Sequence, residues 1–215
     1  DLPSDAILNH LEPLIQDQNP MIQAAALYLM AQLDWERSRA IAQNHPKATA
    51  LLQETRDRLL SLTEAATLTE FPMLEKVVCL FNSDFFHRMH SDTLIALADR
   101  AEVRTYDQGG VITEAGDTCR ELLLLIEGDA NIHYQTASGV RVEQLHPGQT
   151  LDELEVLAHS NSENTIVADS EHTRILAIPV DAFDDLLDHD PDFARRVLEL
   201  ESRQLQRFMR SAQPL

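Results

Sequence analysis

Residues 106–128, YDQGGVITEAGDTCRELLLLIEG, decide the fold class of this 215-residue chain. At about Tyr106 the spacing of apolar residues changes from three and four to two, and the longest apolar run, residues 122–126, has the length of a strand. Five of the six glycines fall at positions 109, 110, 116, 128 and 139. Glycine supplies the positive φ angles of tight turns, so clustered glycines between short apolar runs predict an all-β unit.

This β unit is flanked by helices on both sides. Short apolar runs predict six strands, at residues 111–113, 122–126, 130–134, 140–145, 165–168 and 174–179. In the first 100 residues, and again after Pro179, apolar positions recur at three and four, which predicts helices. The chain therefore reads as helices, then strands, then helices.

Turn residues indicate where several of these helices begin. Asn19-Pro20 and Asp190-Pro191 each supply an N-cap followed by proline at the first helical position. Pro46 is expected to open a further helix and Asp181 to cap a short one. The inward-facing positions are predicted to be Ile22, Ala25, Ala26, Leu29 and Leu33 in the helix after Asn19, and Phe193, Ala194, Val197, Leu198, Leu205 and Phe208 in the last helix.

The composition excludes several classes of protein. The chain has 17 Lys and Arg against 36 Asp and Glu, a formal net charge of −19, with 44% hydrophobic residues. The apolar fraction is enough for a core, so the chain as a whole is not disordered. The negative charge repels phosphate backbones and anionic lipid heads, so we expect no nucleic-acid partner and no direct membrane contact. No apolar run reaches the 18 to 20 residues or so of a membrane span.

The glycine turns and apolar runs resemble those of a known family. Its marks here are Tyr106-Asp107-Gln108-Gly109-Gly110-Val111-Ile112, Glu114-Ala115-Gly116-Asp117, Leu123-Leu124-Leu125-Ile126-Glu127-Gly128 and His146-Pro147-Gly148, with Phe85, Leu94 and Leu97 in the lead-in helix. From residue 71 to 209 the chain resembles the cyclic-nucleotide-binding domain of the catabolite-activator and protein-kinase-A regulatory-subunit superfamily. The resemblance implies an antiparallel double-stranded β-roll of the jelly-roll, cupin-like kind, followed by C-terminal helices.

The N-terminal helices resemble a second family. Residues 17–27, DQNPMIQAAAL, are similar to the inter-helix turn and second helix of a HEAT repeat, the alternative being an unrelated helical lead-in. We therefore predict an α+β fold. A HEAT-like helical segment spans residues 1–80, and a cyclic-nucleotide-binding-like domain spans 81–211. The latter divides into lead-in helices at 81–100, a β-roll at 101–180 and C-terminal helices at 181–211.

The family binds its ligand in a phosphate-binding cassette that resembles Phe-Gly-Glu-Leu-Ala-Leu-Leu, a short gap, and Pro-Arg-Ala-Ala. An ungapped match lays this pattern over residues 151–157 and 161–164. The match keeps the ribose-binding carboxylate as Glu153, but replaces the family's Gly by Asp152, its Ala by Glu155 and its phosphate-binding Arg by Ser162. The candidate ligand-binding residues of this degenerate cassette are Leu151, Asp152, Glu153, Leu154, Ser162, Glu163, Asn164 and Thr165.

The exchange at the cassette inverts its charge. Removing one partner of a buried charge pair costs about 3 to 5 kcal/mol, which is about two to three decades of affinity. Cyclic AMP or cyclic GMP is therefore disfavoured as a ligand, and no cofactor is predicted. The alternative is a working receptor in which Arg120, Arg141 or Arg174 takes over the phosphate.

Motifs of catalysis and metal binding are missing from the sequence. There is no Gly-x-Ser-x-Gly, no P-loop and no Cys/His nucleophile arrangement, and His133 stands alone where a metal-dependent cupin has paired histidines. Cys79 and Cys119 form neither a CxxC pair nor a ligand spacing. We therefore predict no catalytic residue, no metal site and no enzymatic activity.

These observations predict a regulatory or sensor module that acts through protein contacts or through another ligand. The chain begins at Asp1 without Met, which favours a fragment of a longer chain. The lead-in through residues 73–77, MLEKV, resembles that of the soluble tail of some bacterial ADP/ATP-translocase-like membrane proteins. The partner is thus expected to be another protein or the rest of a parent chain, in the cytoplasm or on the cytoplasmic side of a membrane. A homodimer is a further possibility.

Overall fold

The computed structural model describes residues 4–46, 49–87, 89–136, 139–199 and 202. The helices are α1 Ser4–Leu11, α2 Pro20–Leu33, α3 Trp35–Asn44, α4 Ala50–Ser61, α5 Pro72–Asn82, α6 Ser91–Arg100, α7 Glu153–Leu157 and α8 Val180–His189, with 3-10 turns at Glu12–Gln16 and Leu68–Glu70. Residues 191–199 are also helical. The strands are β1 Glu102–Tyr106, β2 Val111–Thr113, β3 Glu121–Glu127, β4 Ala130–Thr136, β5 Gly139–Leu145, β6 Thr150–Leu151, β7 Thr165–Ala168 and β8 Thr173–Pro179.

The chain forms two compact units. The helical unit comprises Asp1–Cys79 and His90–Asp99, and the second unit comprises Leu80–Met89 and Arg100–Leu215. The domain boundary that the sequence places after residue 80 stays a prediction.

Local capping sets the start of each helix in the helical unit. Asn19 begins α2 as predicted, because its side chain accepts a hydrogen bond from the Met21 backbone N–H at 2.9 Å. Pro46 does not open α4, and that prediction is wrong: the helix begins at Ala50, because the Thr49 side chain supplies the N-cap by accepting from the Leu52 N–H. Helix α2 contacts α1, α3 and α4. The assignment of these helices to HEAT repeats stays a prediction.

The predicted inward face of α2 is partly wrong. Ile22, Leu29 and Leu33 are exposed, whereas Ala24, Leu27 and other small or apolar residues are buried. Nearly every position of α2 is apolar or small, and the helix packs against several neighbours. Periodicity alone therefore does not select which stripe is buried.

The second unit contains the β-roll, built from two antiparallel four-stranded sheets. One has the strand order β1-β8-β3-β6 and the other β2-β7-β4-β5. Between them lies a core of Leu123, Leu125, Ala130, Leu145, Leu151, Ile166, Ile175 and Ala177. The predicted α+β fold with an antiparallel roll is thus confirmed.

Helices follow the roll, and aromatic side chains pack among them. The rings of Phe183 and Phe193 meet edge to face with centroids 5.2 Å apart, and Phe85 lies 6.1 Å from Phe183. The Asp190 carboxylate caps residues 191–199 as predicted, accepting from the backbone N–H groups of Asp192 and Phe193 at 3.0 Å.

Two details of the C-terminal prediction are wrong. Asp181 does not cap α8, because the helix already begins at Val180, directly after the fixed φ of Pro179. Leu198 is 68% exposed instead of inward, although Phe193 and Val197 are buried as predicted. Leu205 and Phe208 lie outside the described residues. None of the described helices is both long and apolar enough to cross a lipid bilayer.

Candidate functional site

The predicted cassette lies where β6 turns into the short helix α7. Strand β6 pairs with β3, and Leu151 is buried in the core between the two sheets. Leu151, one of the predicted ligand residues, therefore anchors the cassette instead of facing a ligand. The turn itself falls on Asp152, whose φ of 60° and ψ of 23° are left-handed. Asp is among the few residues besides Gly that adopt this conformation at modest cost.

Asp152 and Ser162 contact each other directly. The Ser162 hydroxyl lies 3.0 Å from Asp152 Oδ1 and 3.1 Å from the Asn164 carbonyl oxygen, both of which can accept its hydrogen. Asp152 is 9% exposed and Ser162 3%. The two residues that the sequence match assigns to the family's Gly and Arg positions thus form a buried hydrogen bond, which ties the start of α7 to the segment before β7.

Backbone hydrogen bonds hold this second segment in place. The Ser162 N–H donates to the Asp117 carbonyl and the Gly116 N–H donates to the Ser162 carbonyl, each at 2.8 Å. The Thr165 hydroxyl oxygen accepts from the Ala115 N–H at 3.2 Å. Both sides of Ser162 are therefore fixed to the 114–119 turn, which fixes the position of its hydroxyl relative to Asp152.

A cavity of about 220 Å³ opens beside Asp152. It lies among strands β2 and β3 and the turn between them, and its lining residues are Arg104, Ile112, Thr113, Asp117, Thr118, Cys119, Arg120, Glu121, Leu123 and Asp152. Of the predicted cassette residues, Asp152 lines this cavity.

Burial and like charges raise the pKa of several groups at this site. Burial raises the pKa of Asp152, and hydrogen bonds from Ser162, Thr113 and Cys119 oppose that rise. The pKa of Glu155 is raised first by burial and then by repulsion from Asp152 and Glu163. The site is therefore unfavourable for further negative charge.

Cys119 lies beside Asp152. Its Sγ is 3.7 Å from the Glu121 carbonyl oxygen and 4.0 Å from that of Asp152. Burial, and then the negative charge of Asp152, raise the pKa of Cys119 to about 11. The thiol is therefore protonated and unreactive at neutral pH.

The remaining predicted cassette residues are spread over different environments. Glu153 is the first residue of α7 and is half-buried, whereas Leu154 is 56% exposed on the same helix. Glu163 is exposed, and Asn164 contributes its backbone carbonyl to the Ser162 hydroxyl.

Two of the three arginines predicted as substitute phosphate ligands are engaged elsewhere. The Arg141 guanidinium lies on β5, 3.2 Å from Glu143, and that of Arg174 lies on β8, 3.1 Å from Glu127. Arg120 is exposed and lies at the cavity. The structure thus brings Arg120 close to the cassette cavity.

Arg104, which the sequence pattern did not single out, also lines this cavity. Arg104 donates two hydrogen bonds to the Glu121 carboxylate, at 2.5 and 2.6 Å, and this pairing raises the pKa of the guanidinium. Thr113 and Cys119 were also missed as neighbours of Asp152. Arg104 lies on β1 in one sheet and Thr113 on β2 in the other, so linear spacing does not reveal their convergence. Among the described residues, no group of three or more His, Cys, Asp or Glu side chains is arranged to hold a metal ion.

Comparison with known proteins identifies the β-roll. The profile of the cyclic nucleotide-binding domain matches residues 103–190. The catabolite activator protein of Thermus thermophilus superposes with a TM-score of 0.54 at 25% identity, over 60% of this chain and 61% of that protein. The sensor domain of the transcriptional regulator DNR from Pseudomonas aeruginosa gives 0.54 at 18%, over 64% of this chain and 93% of that domain.

A third solved structure has the same fold. The regulatory subunit of a cAMP-independent protein kinase A from Trypanosoma brucei superposes with a TM-score of 0.54 at 19% identity, over 66% of this chain and 48% of that one. This chain thus spans less than two thirds of the Thermus and Trypanosoma proteins. No functionally curated protein matches its sequence. Residues 103–190 thus match the model of the cyclic nucleotide-binding domain, and the β-roll has the fold of the catabolite activator and of the protein-kinase-A regulatory subunit.

Proposed function

We propose that this chain is a non-catalytic regulatory module whose cassette is occupied by its own side chains, so that cyclic AMP and cyclic GMP do not bind in the usual manner. The observation that carries this proposal is the buried hydrogen bond between Ser162 Oγ and Asp152 Oδ1. A cyclic phosphate would have to displace a carboxylate that is already hydrogen-bonded at that position.

Electrostatics support the same conclusion. Asp152, Glu155 and Glu163 bring three carboxylates to the cassette. The pKa of Glu155 is raised first by burial and then by repulsion from the other two. A bound phosphate gains from a guanidinium and loses from nearby carboxylates, especially where water is excluded. Because Ser162 stands where the family pattern has Arg, the attraction to a bound phosphate is missing, and Asp152 adds a repulsion against it.

The regulatory role is supported by the similar proteins, a catabolite activator, a transcriptional-regulator sensor domain and a kinase regulatory subunit. In this chain the module would act on a protein partner or on the rest of a larger parent chain, in the cytoplasm, with no cofactor and no nucleic-acid partner of its own. A parent protein of the transporter-like class, with this chain as its soluble tail, fits that role. Hydrophobic spans upstream in the gene product would support the transporter tail, and their absence would exclude it.

The experiment is isothermal titration of the chain with cyclic AMP and cyclic GMP. We expect no binding at submicromolar concentration of either nucleotide. A matched variant then tests whether the cassette is the cause: D152G, E155A, S162R and E163A together remove the carboxylates and restore an arginine. This variant should bind a cyclic nucleotide, whereas a wild-type chain that binds either one with submicromolar affinity would refute the proposal.

The Trypanosoma structure supports the design of this variant. It is a triple mutant bound to cAMP, in which Glu, Thr and Val are replaced by Ala, Arg and Ala; the Glu and the Thr are seven residues apart and the Val follows the Thr. Glu155, Ser162 and Glu163 have the same spacing in this chain.

The second candidate is a receptor that holds the phosphate with a relocated arginine. It is favoured by one observation, the position of Arg120 at the cavity beside Asp152. If the wild-type chain binds a cyclic nucleotide, R120A should weaken that binding at least about tenfold, whereas R141A and R174A should not, because those arginines are paired on other strands.

A further inference from the structure

Strand β5 forms an open edge of the β-roll. In the described part of the chain it pairs with β4 on one side and with no strand on the other. All of its residues except Leu145 are exposed, including Val140 at 55% and Val142 at 52%. An unpaired edge strand with exposed apolar residues is a ready template for pairing with another strand.

The register of the β4–β5 hairpin tells which backbone groups point outward. Thr136 pairs with Gly139, and the pairing continues residue by residue to Ala130 and Leu145. On the other side of β4, the Asp169 N–H donates to the Asp129 carbonyl at 2.9 Å, and hydrogen-bonded pairs alternate along a ladder. Odd-numbered residues of β4 therefore bond to β7, and even-numbered residues bond to β5. Residues 139, 141, 143 and 145 therefore bond to β4, which leaves the N–H and C=O groups of 140, 142 and 144 directed at the open edge.

We propose that β5 pairs antiparallel with β5 of a second copy of this chain, with Val142 opposite Val142 of the partner subunit on a two-fold axis. In this register residues 140 and 144 of one copy bond to residues 144 and 140 of the other. The β2-β7-β4-β5 sheet of one copy and the same sheet of the other copy then become one continuous sheet of eight strands. The exposed Val140 and Val142 side chains lie on one face of the joined strands. On that face the Val142 side chains of the two copies are direct neighbours across the axis.

Charge along β5 selects this register. Arg141 and Glu143 share the opposite face, and their side chains lie 3.2 Å apart in one copy. With Val142 on the axis, Arg141 of each copy lies directly opposite Glu143 of the other, which makes two cross-strand ion pairs. They occupy a non-hydrogen-bonded pair, where side chains come closest.

The neighbouring registers put like charges together. A shift of the register by two residues in one direction places the Arg141 side chains of the two copies opposite each other. A shift by two residues in the other direction places the two Glu143 side chains opposite each other. Shifts by one residue leave the outward N–H and C=O groups without matching partners. Like charges directly opposite each other destabilise a strand pair, so the sequence of β5 is complementary to itself in one register.

The test is sedimentation velocity on the 215-residue chain over a concentration series at about 0.15 M salt, where repulsion between charges more than about 8 Å apart is screened. We expect a concentration-dependent monomer–dimer equilibrium, since a single strand pair makes a small interface. R141E and E143R should each weaken dimerisation at least about tenfold, because each places two like-charge pairs across the axis. The double variant R141E/E143R should restore it, because the pairs are again opposite in sign.

Mixing the two single variants gives the sharpest result. R141E carries two negative charges at these positions and E143R two positive charges, so an equimolar mixture should form a heterodimer although neither variant dimerises alone. V142P removes an outward-pointing N–H without touching the bonds to β4 and should also prevent dimerisation. Far-UV circular dichroism of each variant checks that the roll is folded.

A control distinguishes this edge from a helical seam. Leu198 is exposed on the helical residues 191–199, so L198E should disrupt a dimer formed through that helix and should leave a β5 dimer unchanged. A wild-type chain that stays monomeric at all concentrations, a dimer lost in L198E, or a mixture of R141E and E143R without heterodimer would each overturn the proposal.

Discussion

Replacing Ser162 by Ala tests how strongly the Asp152–Ser162 contact holds the cassette. The substitution deletes the hydroxyl that lies 3.0 Å from Asp152 Oδ1, at a position only 3% exposed. Water therefore has little access to replace the lost donor. A hydrogen bond to a charged group contributes about 1.5 to 3 kcal/mol, so we expect a local loss of stability of that size.

Hydrogen–deuterium exchange of a peptide covering residues 150–165 measures this loss. At about 1.4 kcal/mol per tenfold, exchange in S162A should be about 10 to 100 times faster than in the wild type at neutral pH. The helical unit provides an internal control, because it contains the single tryptophan, Trp35, whose fluorescence should not change.

A double-mutant cycle makes the result specific to the carboxylate. In a D152N background the Ser162 hydroxyl faces a neutral amide, and a hydrogen bond between neutral groups contributes only about 0.5 to 1.5 kcal/mol. S162A should therefore cost less in that background. Equal costs in both backgrounds, or unchanged exchange in S162A, would show that the carboxylate–hydroxyl contact does not stabilise the cassette.

Three further outcomes are expected. Because burial raises the pKa of Asp152, the folded chain binds that proton more tightly than the unfolded chain. Wild-type stability should therefore fall relative to D152N as pH rises through this raised pKa, and the difference should be constant below about pH 3.9, the pKa of an unfolded aspartate; urea unfolding at several pH values measures it. G128A should lower the melting temperature more than G109A. Both glycines have a positive φ, 74° at Gly128 and 82° at Gly109, which costs about 1 to 2 kcal/mol for other residues. Only at Gly128 would an added Cβ meet backbone, 2.9 Å from the His172 carbonyl oxygen. In a C79S background, alkylation of Cys119 by iodoacetamide should still be accelerating at pH 10, consistent with its pKa of about 11, and a rate that levels off below pH 9 would contradict the buried position of the thiol.

Much of the roll was predictable because its strands are bounded by turn residues. The predicted runs at 111–113 and 165–168 have the bounds of β2 and β7. Strand β1, EVRTY, was missed because charged residues break its apolar pattern, and the structure pairs its Arg104 with Glu121 of a distant strand. Strand β6 has two residues, too few to show a period.

The residues of the candidate site come from the resemblance to the family and stay a prediction, whereas their contacts could not be predicted from the sequence. The ungapped match to the family's cassette predicts that Asp152 and Ser162 occupy its Gly and Arg positions. That the two hydrogen-bond to each other depends on the left-handed backbone at Asp152 and on the hydrogen bonds that hold both sides of Ser162. Neither follows from spacing, because residues ten apart meet only after the chain has turned back through α7 and the segment that follows it.

The contact between Asp152 and Ser162 joins two parts of a single molecule, and this changes what can control it. A site that is filled by a diffusing solute empties and fills as the level of that solute changes. A bond between two side chains of one chain forms in a unimolecular step, so the fraction formed does not depend on protein concentration and needs no diffusing ligand. It responds instead to the proton, through the carboxylate, and to anything that pulls α7 away from the roll.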